Sequence, residues 1–169
     1  MKKNLALTGM MGVGKSTIGK ALSKALLMQF SDIDRIIENK LKMSIQKIFK
    51  EKGEFFFRKF EEKITLEENK KKNIIISLGG GAFMSSKVRK NILSNNKSFW
   101  LDLNIKLLEK RLIKSKNRPL LDNKTLKGNL EEIYNKRKDT YTQADYRINC
   151  DKLSANSITN KIIILYENN

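Results

Sequence analysis

Gly9-Met10-Met11-Gly12-Val13-Gly14-Lys15-Ser16 sets glycines, a lysine and a hydroxyl in the spacing G-x-x-x-x-G-K-[ST], a pattern that holds polyphosphate. Glycines let successive backbone N–H groups turn inward. The start of the following helix adds its positive end, so main chain does most of the holding. Lys15 reaches the outer phosphates, and Ser16 offers a small hydroxyl to Mg²⁺, a hard cation that takes oxygen ligands. Thr17 continues the helix start with its N–H still facing phosphate. The flanks agree with this reading. An apolar run, Leu5-Ala6-Leu7, precedes the loop, and Ile18, Leu22, Ala25 and Leu26 follow it at the spacing of one helical stripe.

A phosphate loop works with a carboxylate at the end of a neighbouring apolar strand. The strongest such run, Ile74-Ile75-Ile76-Ser77-Leu78, ends instead in Gly79-Gly80-Gly81, so the acid must come from elsewhere. Asp32 and Asp34 close the second predicted strand, and residues two apart on a strand share a face. That spacing offers one carboxylate to a metal and one to an acceptor hydroxyl. Asp102, after Phe99-Trp100-Leu101, is the rival metal acid, although its place before Leu103 and Asn104 fits a helix cap. The three glycines suit backbone that lies against a ligand at the carboxyl end of a strand.

Two arginines add carboxylate chemistry, because a guanidinium binds a carboxylate through a two-pronged fork. Arg58 follows Gly53-Glu54-Phe55-Phe56-Phe57 at a helix start, and Arg137 stands one turn before Tyr141. Phe55, Phe56 and Phe60 are expected in the core. Ser115 to Lys127 is polar and holds the chain's single proline, Pro119, beside Arg118 and Leu120-Leu121. It is expected to form a flap over a site.

The elements that must position these residues alternate along the chain, short apolar runs with longer helical patterns, the rhythm of a parallel sheet covered by helices. Predicted strands are Asn4–Thr8, Phe30–Ile33, Asn73–Leu78, Ser98–Leu103 and Tyr146–Asn149. Predicted helices are Lys15–Met28, Asp34–Lys42, Ile45–Lys52, Glu54–Lys71, Ser86–Asn95, Ile105–Ser115, Asn129–Thr142 and Ser154–Tyr166.

The chain has 169 residues, the size of one domain, and no internal repeat or linker, so 1–169 is expected to fold as a unit. Its 35 Lys+Arg against 18 Asp+Glu give a formal charge of +17. Lysine is spread over the whole length without a long basic tract or an arginine–aromatic alternation, so biased residue usage accounts for much of the excess, anionic substrates also fit it, and nucleic acid is not expected. One cysteine, Cys150, and no histidine exclude a disulfide framework, a zinc site and histidine catalysis within one chain. Cys150 reads as a small buried hydrophobe. The apolar residues after Met1-Lys2-Lys3 are broken by Gly9, Gly12, Gly14 and Lys15, too soon for a signal peptide or membrane span. A cytoplasmic protein without a membrane partner is expected.

Together the loop, the aspartate pair, the triple glycine and the two arginines resemble the shikimate kinase family, small phosphate-loop kinases of aromatic amino-acid biosynthesis, over nearly the whole chain. The resemblance implies a three-layer α/β/α fold with a five-stranded parallel sheet of the nucleoside-monophosphate-kinase type. It also implies a flap at about 115–127, a substrate-binding helical region at about 34–60, and a monomer. By the same resemblance, Gly12, Val13, Gly14, Lys15, Ser16 and Thr17 bind ATP, with Arg111 near adenine and Arg118 as the flap arginine over the phosphates. Ser16 and Asp32 position Mg²⁺. Asp34 holds the acceptor hydroxyl of shikimate, Arg58 and Arg137 grip its carboxylate, and Gly79, Gly80 and Gly81 lie against its ring. Lys15, Asp34 and Arg118 would carry the transfer of the γ-phosphoryl group to the 3-hydroxyl. A gluconate kinase of the same architecture would keep the loop and the acidic pair without needing Gly79–Gly81 together with Arg58 and Arg137. A nucleotide-dependent nucleic-acid factor would instead bind duplex with steep salt dependence.

Overall fold

The apolar runs of the chain become five parallel strands in the computed structural model, which describes residues 4–114 and 126–168. They are β1 (Asn4–Thr8), β2 (Gln29–Asp32), β3 (Ile74–Ser77), β4 (Asn96–Asp102) and β5 (Tyr146–Asn149). They lie in the order β2-β3-β1-β4-β5, each parallel to its neighbours. β3 is buried along its whole length and β1 from Leu5 to Thr8, as strands covered on both faces must be, and this is why they read as unbroken apolar runs. Among the described residues the covering helices are α1 (Lys15–Leu26), α2 (Ile33–Leu41), α3 (Ile45–Glu68), α4 (Ser86–Asn95), α5 (Ile105–Lys114), α6 (Leu126–Tyr141) and α7 (Ala155–Glu167). α1 packs beside α7, α2 beside α3, and α5 beside α6.

The order reverses at β1, which has β3 on one side and β4 on the other. The connections that leave the carboxyl ends of β1 and β3 therefore diverge and open a crevice between them, the usual ligand position in such sheets. Both glycine-rich stretches fall there: Gly9 to Gly14 follows β1, and Gly79 to Gly81 follows β3.

Four departures from the predicted elements have physical causes. The helices predicted as Ile45–Lys52 and Glu54–Lys71 join into α3, and the predicted break survives as a backbone kink at Gly53, with φ 79 and ψ 166. β2 ends at Asp32 because Ile33, wholly buried, already begins α2. α6 starts one turn earlier than predicted, so Leu126 and Lys127 of the expected flap are helical. The rest of that segment, Arg118 and Pro119 included, lies outside the described residues. Phe55 is not in the core: it is 77% exposed, with Lys59 Nζ 5.7 Å from its ring. Adjacent helical residues point about 100° apart, and the inward face of this part of α3 is Phe57, Glu61, Ile64, Thr65 and Glu68. Phe57 takes the core position, its ring 4.7 Å from Phe49, while Phe56 and Phe60 are partly buried and stacked at 6.0 Å. No helix among the described residues is long and apolar enough to cross a membrane.

Candidate active site

Gly14 is the residue from which α1 starts, and its backbone, at φ 107, lies in a region that L side chains avoid. The turn it permits brings the loop back over the helix N-terminus. Gly9 runs against the Leu101 carbonyl so closely that a methyl group there would overlap the oxygen. Lys15 is buried, with Nζ donating to Gly9 O at 2.8 Å and Met10 O at 2.9 Å, so the ammonium sits inside the curve of the loop. Val13 is buried, and its carbonyl accepts from Arg111 Nη1 at 3.0 Å, which pins an α5 side chain to the loop. A methyl on Gly12 would stand 3.0 Å from the Leu112 side chain. Ser16 and Thr17 occupy the first turn of α1, Ser16 partly covered and Thr17 exposed.

Asp32 and Asp34 do not share a strand face. Asp32 ends β2 and caps α2, its Oδ1 accepting from Arg35 N at 3.4 Å, whereas Asp34 lies in the first turn of that helix. The two remain close because a helix begins where the strand stops. Asp32 Oδ2 accepts the Ser16 hydroxyl at 2.5 Å, so capping and loop contact come from the two oxygens of one carboxylate. Ser16 and Asp32 thus form a pair of hard oxygen donors at the mouth of the phosphate loop, and that chemistry fits Mg²⁺. Among the described residues no group of three or more His, Cys, Asp or Glu could cage an ion. The residues present fit a cation shared with phosphate oxygens and water.

Asp102 is engaged by side chains of other elements rather than by a helix N-terminus. It accepts from Arg147 Nη2 at 2.6 Å and Nε at 3.0 Å, and from Tyr134 Oη at 3.2 Å. Asn104 supplies the turn into α5 instead, its Oδ1 accepting from Lys106 N at 2.9 Å. Nearby Cys150 is buried with a free thiol, whose pKa is pushed up to about 11 by burial and by the Asp102 charge.

Each glycine after β3 has a different predicted site residue against it. A methyl on Gly79 would overlap Glu61 Oε1 and stand 2.8 Å from Asp34 Oδ1. One on Gly80 would stand 3.4 Å from Met11 N and 3.5 Å from Arg137 Nη1, and one on Gly81 2.6 to 2.8 Å from the Arg58 guanidinium. None of the three has a positive φ, so space rather than backbone conformation demands glycine at Gly79 and Gly81, while a methyl on Gly80 would make ordinary contacts. Arg137 Nη1 donates to Gly80 O at 3.0 Å. Arg58, Arg137 and Gly81 line one open cavity of about 430 Å³, with Phe55 and Met84 at its wall.

Sequence reasoning missed Glu61. It is 2% exposed and accepts from Arg58 Nη1 at 2.7 Å, while Glu54 Oε1 accepts from Arg58 Nε and Nη2 at 3.2 Å. Burial, helped by the Asp34 charge, raises the Glu61 pKa above the ordinary carboxylate range although Arg58 pulls it down. For Arg58 burial opposes the charge, yet Glu61 and Glu54 hold its pKa above the usual value. The available signal was the Arg58-x-x-Glu61 spacing, which puts both side chains on one helical face.

The shikimate kinase family model matches residues 11–167. The shikimate kinase of Bacillus pumilus is 37% identical over 164 residues, covering 96% of this chain and 88% of that protein. The structure of the Acinetobacter baumannii shikimate kinase in complex with shikimate superposes with a TM-score of 0.93 at 30% identity, covering 98% of this chain and 93% of that one. A gluconokinase from Sinorhizobium meliloti, with a TM-score of 0.61 at 13% identity, shares the fold alone. The family match runs from within the phosphate loop through both aspartates, the triple glycine and both arginines to the last helix, and the chain belongs to the shikimate kinase family.

Proposed function

We propose that this chain transfers the γ-phosphoryl group of ATP to the 3-hydroxyl of shikimate, giving shikimate 3-phosphate and ADP on the route to chorismate and the aromatic amino acids. The observation that carries the reading is that Gly80, held by Arg137, lies against Met11 N and Gly9 O of the phosphate loop. The carboxylate-binding side and the phosphate-binding side thus share a wall.

Phosphoryl transfer passes through a loose transition state that needs alignment and charge neutralisation rather than covalent help. Gly12, Val13, Gly14, Ser16 and Thr17 hold the phosphates by main chain at the start of α1, and Lys15 offsets charge on the outer ones. Asp34 accepts a hydrogen bond from the acceptor hydroxyl and so aims its oxygen at phosphorus. Arg58 and Arg137 grip the carboxylate, with the ring against Gly79, Gly80 and Gly81. Glu61, buried behind Arg58, keeps that guanidinium in place. Arg111 belongs to the nucleotide side. Arg118, outside the described residues, is assigned to the flap over the phosphates. Mg²⁺, held by Ser16 and Asp32 with phosphate oxygens, would supply further charge neutralisation when bound.

The reading takes residues 1–169 as one kinase domain, with the flap at about 115–127 and the acid-binding region at about 34–60. It assigns a monomer working in the cytoplasm without nucleic acid or membrane. A coupled ADP-release assay with shikimate, gluconate, AMP and duplex DNA offered in turn tests it. Turnover is expected with shikimate alone. Turnover with gluconate, or none with shikimate, would overturn it.

A further inference from the structure

We propose that Tyr141 is a positioning residue that fixes the peptide between Gly80 and Gly81 and thereby sets the affinity for the carboxylated acceptor. The inference rests on the reading of the Gly79–Gly81 loop and Arg137 as the acceptor side of the site.

Three glycines in a row form the most pliable backbone a chain can have. Ala82 N donates to Gly79 O at 3.0 Å, which closes a turn with Gly80 and Gly81 as its central residues. That bond leaves the central carbonyl, Gly80 O, to be met from outside the turn. Tyr141, fully buried at the end of α6, donates from Oη to Gly80 O at 2.5 Å. Arg137, one turn earlier on the same helix, donates from Nη1 to the same oxygen at 3.0 Å. Both acceptor directions of that carbonyl are thereby used. A peptide is planar and trans, so drawing the oxygen towards α6 turns the N–H of Gly81 the opposite way. The shared oxygen also locates Arg137 relative to the glycine loop.

The phenol itself is anchored from the sheet. Its ring stacks on Trp100 of β4 with centroids 5.8 Å apart, and its oxygen lies 4.0 Å from Met10 Sδ in the phosphate loop. Burial raises the pKa of the phenol, against the pull of Arg137, so it remains a donor through neutral pH. Removing only the oxygen leaves Gly80 O with Arg137 alone and loosens the central peptide of the turn.

Tyr141→Phe tests this, since it keeps the ring and the core volume. The KM and the calorimetric Kd for shikimate should rise about fivefold, the effect of one ordinary hydrogen bond. The KM for ATP should stay within about twofold, because a purely structural defect would move both. Tyr166→Phe, which removes the hydroxyl of another buried tyrosine on α7, the helix beside α1, serves as the control and should leave both constants unchanged. All measurements are made at a temperature where thermal melts show each variant folded. If wild type turns over shikimate and Tyr141→Phe keeps the wild-type KM and Kd for it, the proposal is overturned while the parent reading stands. It is overturned equally if the ATP constant rises in step, or if the Tyr166 variant behaves alike. Failure of wild type itself with shikimate would sink the parent reading instead.

Discussion

Gly14 and Gly81 follow neighbouring strands and face one crevice, yet they are glycine for opposite reasons. At Gly14 the nearest atom to an added methyl, among the described residues, is Arg111 Nη1, 3.9 Å away, but the backbone sits at φ 107. At Gly81 the backbone is ordinary, but a methyl would fall 2.6 Å from Arg58 Nη1. One side of the site is built from main-chain conformation and the other from side chains pressed against main chain. A phosphate group carries diffuse charge that many N–H groups can share, whereas a carboxylate on a ring must be met by a fork in one orientation.

Substitutions to alanine should separate the two designs. Gly14→Ala is expected to have the largest effect. Forcing a side chain into that backbone distorts the loop, and kcat/KM for ATP should fall about a hundredfold or more, as misplacements near 1 Å do. Near-normal ATP use would show that the curve of the loop does not depend on this residue. Gly81→Ala is intermediate. Arg58 cannot simply swing away, because Glu61 and Glu54 hold it, so the KM for shikimate should rise about tenfold, roughly 1.4 kcal/mol. The KM for ATP should be retained, and a parallel loss of both would erase the distinction. Gly128, exposed near the start of α6, has no positive φ and, among the described residues, no atom within 4 Å of an added methyl. Gly128→Ala should therefore stabilise the helix by about 0.5–1 kcal/mol. Its melting temperature should rise by a few degrees while both KM values stay within about twofold.

Sequence patterns reveal the side of the site made of backbone better than the side made of packing. The phosphate loop was legible because its chemistry is local: the glycine spacing, the lysine and the flanking strand and helix all lie within about thirty residues, the length of one such unit. The strands were legible because burial on both faces leaves a continuous apolar run, as in Ile74 to Ile76. Strand order was not, since periodicity reports which face of an element is buried and not what covers it. Asp34 was found but given a strand face shared with Asp32, because the sequence does not show that the helix already begins at Ile33. Asp102 read as a cap for the same reason: its partner Arg147 is on another strand, 45 residues away. Glu61 looked like one more charged residue on a lysine-rich helix. Only tertiary packing makes it a buried carboxylate, as that packing leaves Phe55 outside and Phe57 inside.

The chain's one tryptophan, Trp100, stacks on Tyr141 on one side and lies 4.8 Å from the Arg147 guanidinium. It is 2% exposed and pairs in register with Thr8, the residue that leads into Gly9. Indole emission from this protein therefore comes from a single side chain shielded from water, between the strand that leads into the phosphate loop and the tyrosine bonded to Gly80. Filling either side of the site has an optical channel through which to be seen, with no dye attached.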